Sequence, residues 1–237
     1  MGGLFRTRYG LKRNGKGRIS EVLYRTYHAL LGRGLASDVN GAYPRNDGSV
    51  GQLPMKEGTP LYNIYNTDAA WGAQWNLSQL WILAYPEYMS EYISSHLQAY
   101  KDAGWLADGL ANNRYVSGVG TNLLSTIIAG AYECGIRDFD TNIAYEACLK
   151  NELEGKNRPF GAGKVNTTEF VKYGYVPHQD AGEGYHETFM FSASHTLEYS
   201  YSAWAVAQWA KQLGDTAHYN QLMYLSKGWE RLYDPYR

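Results

Sequence analysis

The sequence predicts an all-α fold in which helical hairpins pack side by side in a ring or arc, with long polar loops gathered on one rim. Three observations predict it. Helical segments alternate between wet and buried, some joined by tight Gly–Asp junctions such as Gly214-Asp215 and others by long polar loops. Residues 122–133 are apolar nearly all round (Leu123, Leu124, Ile127, Ile128, Ala129, Ala131), which marks a helix buried on most sides. No series of alternating apolar and polar residues is long enough to build a competing sheet. The repeat is architectural, because no sequence repeat accompanies it.

Taken in order, Ser20 can cap a first helix over residues 21–31, with Val22, Leu23, Tyr24 and Tyr27 turned to the core. Gly32 and Gly34 end it. Residues 35–68 are rich in Asp, Asn, Gly and Pro, so they read as one long loop, functional or disordered, with short strands near Tyr43 and Val50. A helix over 69–84 follows. Pro86 suits the first turn of the next, over 87–103, which Gly104 stops. A polar loop runs from Asp108 to Tyr115. The buried helix 122–133 ends at Gly135, and Asp140 caps a helix over 141–154 whose exposed face carries Glu146, Lys150, Glu152 and Glu154. Residues 155–191 are irregular around a short helix near 168–173. Ser194 or Thr196 opens a long helix to Leu213, and Asp215 caps a last one reaching about Tyr233.

The 237 residues suit one domain or half of a large one, and 44% hydrophobic with 19% charged residues is a globular balance. The 22 Tyr and 7 Trp favour half-buried positions with a polar tip toward water. A net charge of −1 gives no reason to expect a nucleic-acid or acidic-lipid partner. Residues 1–18 hold Arg6, Arg8, Lys12, Arg13, Lys16 and Arg18 without an acid; this basic, glycine-rich tail reads as a poorly ordered end, with 19–237 as the folded domain. Met1–Gly17 lacks the apolar core of a secretory signal, and no later stretch is long enough to span a bilayer. Cys134 and Cys148 have no metal-binding or disulfide-framework spacing.

The chemistry concentrates in residues 63–115. Trp71, Trp75, Asn76 and Trp81 share one helical stretch, and Asp108, Asn112, Asn113, Arg114 and Tyr115 follow in the polar loop. Aromatic faces cover the apolar C–H patches of a sugar, while amide and acid groups bind its hydroxyls. The same tryptophans also suit plain core anchors at helical spacing. His195 and Glu198 fall three apart on one helical face, open to a metal or acid–base role or to a simple capping pair. His186-Glu187 lacks the second His of a zinc-protease helix, and Gly118-Val119-Gly120 has no preceding strand for a dinucleotide loop. His178, Gln179, Asp180 and Glu183 suit either a ligand-facing or a solvated loop. Glycoside hydrolysis needs two carboxylates across a scissile bond, and Asp68, Asp108, Glu183, Glu187 and Glu198 are the candidates.

A series of words in order identifies a resemblance. Tyr24-Arg25-Thr26-Tyr27-His28-Ala29-Leu30-Leu31, then Ser37-Asp38-Val39-Asn40-Gly41-Ala42-Tyr43, resembles the opening of the catalytic domain of glycoside hydrolase family 92, the calcium-dependent exo-α-mannosidases. Trp75-Asn76 with Tyr85-Pro86-Glu87 looks like that family's Trp-Asp helix and the Pro-started helix after it. Gly104-Trp105-Leu106, Gly135-Ile136-Arg137-Asp138-Phe139-Asp140, Ala144-Tyr145-Glu146-Ala147 and Ser194-His195-Thr196-Leu197-Glu198-Tyr199-Ser200-Tyr201 continue it, and the resemblance spans Tyr24 to Pro235.

The resemblance implies an (α/α)6 toroid of which this chain is roughly half, preceded in the family by a β-sandwich domain. It implies removal of terminal α-mannose from glycans with inversion, with calcium holding two sugar hydroxyls. It also implies an exported or periplasmic protein. The implied partners are a mannose-containing glycan, the rest of the catalytic domain and the β-sandwich. Two departures stand out. The family's Trp-Asp pair is Trp75-Asn76 here, which keeps an acceptor and loses the charge. The family's general acid, base and calcium ligands come from segments with no counterpart before Arg237, so none is carried over. The candidate substrate-binding set is Trp75, Asn76, Asp108, Arg114 and Glu198; no catalytic or metal-binding residue is assigned. The expectation is a fragment, inactive alone, with apolar helix faces exposed; a non-catalytic helical sugar-binding protein is the alternative.

Overall fold

The computed structural model describes residues 34–116, 119–178 and 191–233, with residue 20 and residues 22–24, and the side chains of Asp68, Ala69 and Trp71 lie outside that description. The chain divides into two units, Met1–Gly32 and Arg33–Arg237. In the first, Ser20 and residues 22–24 are helical, and Val22, Leu23 and Tyr24 are exposed where the sequence reading turns them inward. The basic tail and Tyr27 lie outside the described residues.

The second unit is built from helices. In chain order they are α1 (Ala70–Gln74), α2 (Leu77–Ala84), α3 (Pro86–Ala103), α4 (Leu124–Glu133), α5 (Thr141–Leu153), α6 (Thr167–Tyr173), α7 (Ser192–Leu213) and α8 (Thr216–Leu225). A short 3-10 helix, Gly228–Leu232, ends the described chain. The last predicted helix therefore stops at Leu225, short of Tyr233. The longest helix, α7, packs against α8, α4 and α5, and α4 buries Leu124, Ile127, Ile128, Ala129 and Ala131. The helix ends follow their punctuation. Asp140 accepts the Ile143 N–H at 3.1 Å, Asp215 accepts that of His218 at 3.2 Å, and Gly214 takes the left-handed conformation (φ 73°) after α7.

Three features differ from the sequence reading. The helix expected over 69–84 is broken at Trp75-Asn76, so α1 and α2 are separate. Trp81 on α2 is a core anchor, 1% exposed, with its ring 5.0 Å from that of Tyr88 and 4.9 Å from that of Tyr92. Trp75, in the break, is 62% exposed.

The polar loop 108–115 is in fact a β-hairpin. Gly109–Ala111 (β6) pairs with Arg114–Val116 (β7), and Asp68–Ala69 (β5) adds to β6. Asn112 and Asn113 form its two-residue turn at φ 50° and 57°, the positive values that such a turn demands and that Asn tolerates.

The long segment 35–68 is ordered. It folds into two antiparallel hairpins, Ala42–Pro44 (β1) with Val50–Gln52 (β2) and Met55–Lys56 (β3) with Thr59–Pro60 (β4). Its tyrosines bind it to α3: Tyr43 donates to Asp102 at 2.8 Å, Tyr62 to Gln98 at 2.7 Å, and Tyr65 to Glu91 at 2.6 Å. Gly51 is required there, because a Cβ would meet the Tyr43 ring at 2.4 Å.

Candidate functional site

A cavity of about 240 Å³ opens where the break after α1, the 119–123 segment and the first turns of α7 converge. Trp75, Leu123 and Phe191 give it apolar and aromatic walls, and Thr121, Ser194, His195 and Glu198 give it polar groups. The structure thus brings together two of the five candidate substrate-binding residues, Trp75 and Glu198, with His195, the other half of the α7 pair. The break at 75–76 frees the Trp75 indole from the helix face, and α7 places His195 and Glu198 three residues apart on one side.

The remaining candidates take other positions. Asn76 is exposed at the N-cap position of α2 and makes no side-chain capping hydrogen bond. Asp108 is 1% exposed; its carboxylate accepts the backbone N–H of Asn122 at 3.0 Å and that of Gly120 at 3.3 Å. It therefore anchors the 119–123 wall from behind. Asn122, itself at φ 43°, continues that anchorage by donating to the carbonyls of Leu106 and Gly163, each at 3.0 Å. Arg114 is exposed on β7. Gln179, Asp180, Glu183, His186 and Glu187 lie outside the described residues, as do Asp68's side chain and Gly118.

Burial shifts both α7 groups toward their neutral forms. It holds the His195 pKa below its ordinary value, against a smaller upward effect of the hydrogen bond to Val119. It raises the Glu198 carboxyl above the usual range, an effect the Lys164 ammonium partly offsets. Lys164 is part of a buried polar centre beneath α7. Its ammonium pairs with Glu152 of α5, whose carboxylate also takes hydrogen bonds from Ser125 of α4 and Ser202 of α7. Glu152 was expected on an exposed face; the structure buries it, because the facing segment brings a cation to it.

The sequence marks His195 only as one half of a pair open to several roles, and it does not mark Thr121. The signal for His195 was its i, i+3 spacing to Glu198; for Thr121 there was none, since its place depends on the distant anchor Asp108.

A second, larger groove of about 520 Å³ lies between α2, α4 and α7. Its walls are mostly apolar, with Ile82, Ile127 and Trp204 prominent. Leu80, Leu83 and Leu197 are exposed on the same helices. Among the described residues no helix is long and apolar enough to cross a membrane.

Comparison with known proteins places this architecture. The chain matches a family 92 inverting mannosidase of Bacteroides thetaiotaomicron with a TM-score of 0.71 and 23% identity, over 89% of this chain and 27% of that one. A family 92 α-mannosidase of the same organism, in complex with mannoimidazole, matches with a TM-score of 0.71 and 22% identity, over 88% of this chain and 25% of that one. At such identity the likeness speaks to the fold. A protein of Arthroderma benhamiae described as an uncharacterized secreted glycosidase is 32% identical over 162 residues, 65% of this chain and 20% of that protein. The chain spans between a fifth and about a quarter of the length of these relatives. The family description "Glycosyl hydrolase family 92 catalytic domain" matches residues 15–237, and with that match the helix-rich chain belongs to glycosyl hydrolase family 92.

Proposed function

We propose that this chain is the sugar-holding part of the catalytic domain of an exo-acting α-mannosidase. In the complete enzyme it forms part of an (α/α)6 toroid that hydrolyses mannose-containing glycans with inversion. The observation that carries the reading is the meeting of Trp75 and Glu198 at one cavity. An exposed indole face suits the C–H face of a pyranose, and a carboxyl beside it accepts from hydroxyls. Asn76 and Arg114 lie outside the cavity lining but are exposed, and they are left for more distant hydroxyls or carbonyls of a longer glycan. Asp108 serves this site by holding its wall. The solved relatives, an inverting mannosidase and an α-mannosidase in complex with mannoimidazole, support the choice of sugar.

Inverting hydrolysis needs an acid and a base roughly 6.5–9.5 Å apart. Among the described residues Glu198 is the carboxyl lining the cavity. The family resemblance puts the acid and base in segments without a counterpart in this chain, and on that ground the 237-residue chain alone is proposed to bind without hydrolysing. The groove between α2, α4 and α7 supports the companion part of the reading, that further helices of the same catalytic domain cover this face. A β-sandwich domain accompanies them by family resemblance. Calcium is implied by that resemblance too, but among the described residues no three His, Cys, Asp or Glu side chains gather as a metal site. The ion is left to the complete enzyme, and no residue of this chain is assigned to it. The description of the Arthroderma protein as secreted supports export.

The test is a titration of the purified chain with methyl α-mannopyranoside, followed by tryptophan fluorescence, beside an assay of 4-nitrophenyl α-mannopyranoside with and without calcium. Saturable binding without release is expected. Calcium-stimulated release by this chain refutes its inactivity, and absence of binding refutes the site. A free-standing sugar-binding protein shares the binding result but predicts a monodisperse monomer with nothing seated on the groove.

A further inference from the structure

Two buried polar atoms at the cavity have no partner among the described residues: Nδ1 of His195 and Oγ1 of Thr121. Their residues are 1% and 5% exposed. A buried polar atom left unpaired costs roughly 1–3 kcal/mol, so two at one cavity call for an explanation.

The geometry decides which hydrogens they offer. His195 Nε2 lies 2.9 Å from the Val119 carbonyl oxygen. A carbonyl can only accept, so Nε2 carries the proton. In a neutral imidazole Nδ1 is then a bare lone pair. The ring cannot turn to relieve it. It is stacked on Tyr199 at 5.4 Å and 18°, flanked by Phe191 at 5.9 Å, and the Tyr199 hydroxyl is itself within reach of the Gly120 and Val165 carbonyls. Thr121 is fixed from the other side, because its neighbours Gly120 and Asn122 are held through their backbone N–H groups by Asp108. Its hydroxyl either donates or accepts.

We propose that His195 Nδ1 and the Thr121 hydroxyl are the specificity-determining pair of this cavity, each taking one hydroxyl of a neutral polyol ring seated against Trp75. The pair rests on the sugar-binding reading of the cavity and deepens it by naming the ligand class. Nδ1 requires an O–H donor. Thr121 completes a second hydroxyl, and Glu198 is placed to accept a third. No Lys or Arg lines the cavity among the described residues, so a sugar carrying a carboxylate or phosphate meets an acceptor and a carboxyl with no cation to balance it. The site selects unmodified hydroxyls over anionic sugars.

The experiment uses the full 237-residue chain. Thr121→Val replaces an unpartnered hydroxyl by a methyl, which leaves the stability of the free protein unchanged or raises it. His195→Gln keeps a donor for Val119 and removes the Nδ1 lone pair. Each is expected to weaken methyl α-mannopyranoside binding by roughly 5- to 10-fold, the value of one hydrogen bond. The corresponding mannuronate is expected to bind at least as weakly as the neutral sugar binds either variant. In the wild-type chain, nitrogen-15 spectra of His195 should show the Nε2–H tautomer, with the Nδ1 signal moving on addition of sugar.

If Trp75 is needed for binding but both variants bind like the wild type and Nδ1 does not respond, the pair is wrong and the sugar site stands. An Nδ1–H tautomer also overturns the pair. Failure of the wild-type chain to bind the sugar overturns the site reading, and the pair with it. A large loss of stability in Thr121→Val assigns Thr121 to structure instead.

Discussion

Lys164 Nζ lies 2.5 Å from Glu152 Oε2, and both side chains are 1% exposed. The pair ties the segment after α5 to α5 itself, and Ser202 joins it to α7 by donating to Glu152 at 2.9 Å. Burial lowers the Lys164 pKa and the Glu152 carboxylate works against that fall. An ion pair of this kind is weak evidence of stability, but removing one partner strands the other charge. Lys164→Met should therefore cost roughly 3–5 kcal/mol in urea unfolding. Lys164→Met with Glu152→Gln should recover a large part of that loss. A single variant as stable as the wild type contradicts the buried pair.

His96 supplies a pH dependence. Its ring is fully buried in α3 beside Tyr92 at 4.8 Å, neither nitrogen has a hydrogen-bond partner among the described residues, and burial lowers its pKa from 6.5 to about 3. The sign follows directly. The unfolded chain takes up a proton below about pH 6.5 while the folded chain does not until about pH 3, so stability falls as pH falls through that window. Between pH 7 and pH 5 the His96 contribution is a loss of about 2 kcal/mol. His96→Phe should lose that much less over the same interval, measured by urea unfolding at the two pH values.

The hairpin turn is sensitive at Asn112, where φ is 50°. A β-branched residue resists that conformation, so Asn112→Val should cost about 1–2 kcal/mol in thermal unfolding, while Asn112→Gly should be close to neutral.

Asp108 offers a test of the wall. Both of its oxygens accept backbone N–H groups, and in Asp108→Asn one of the two would face an amide nitrogen instead. A loss of about 1.5–3 kcal/mol is expected, with weaker sugar binding although Asp108 lies behind the cavity. Unchanged binding in a folded Asp108→Asn protein would separate the wall from the site.

These residues show what the sequence could carry. Helix ends were legible because their signals are local: Pro86 opens α3, Asp140 and Asp215 cap, Gly104 and Gly214 terminate. The break at Trp75-Asn76 and the pairing of β6 with β5 were not, since neither turns on a local residue preference. The same holds for charge. Glu152 looked like a surface residue because its partner Lys164 arrives from another segment, and Asp108 looked ligand-facing because its partners are backbone groups 12 and 14 positions on. Trp75 was legible as a candidate and not as exposed; that required the break. The hairpins over 35–68 were half legible, as short strands at Tyr43 and Val50 inside what reads as a loop.

The central claim is that Trp75 forms the floor of a cavity for a neutral sugar, and a calorimetric titration of methyl α-mannopyranoside into the wild-type chain and Trp75→Ala tests it most directly. Because Trp75 is 62% exposed, the substitution should change stability by no more than about 0.5 kcal/mol, leaving binding as the readout. The account predicts saturable binding by the wild type and its loss in Trp75→Ala. Equal binding by the two proteins, or none by either, contradicts it.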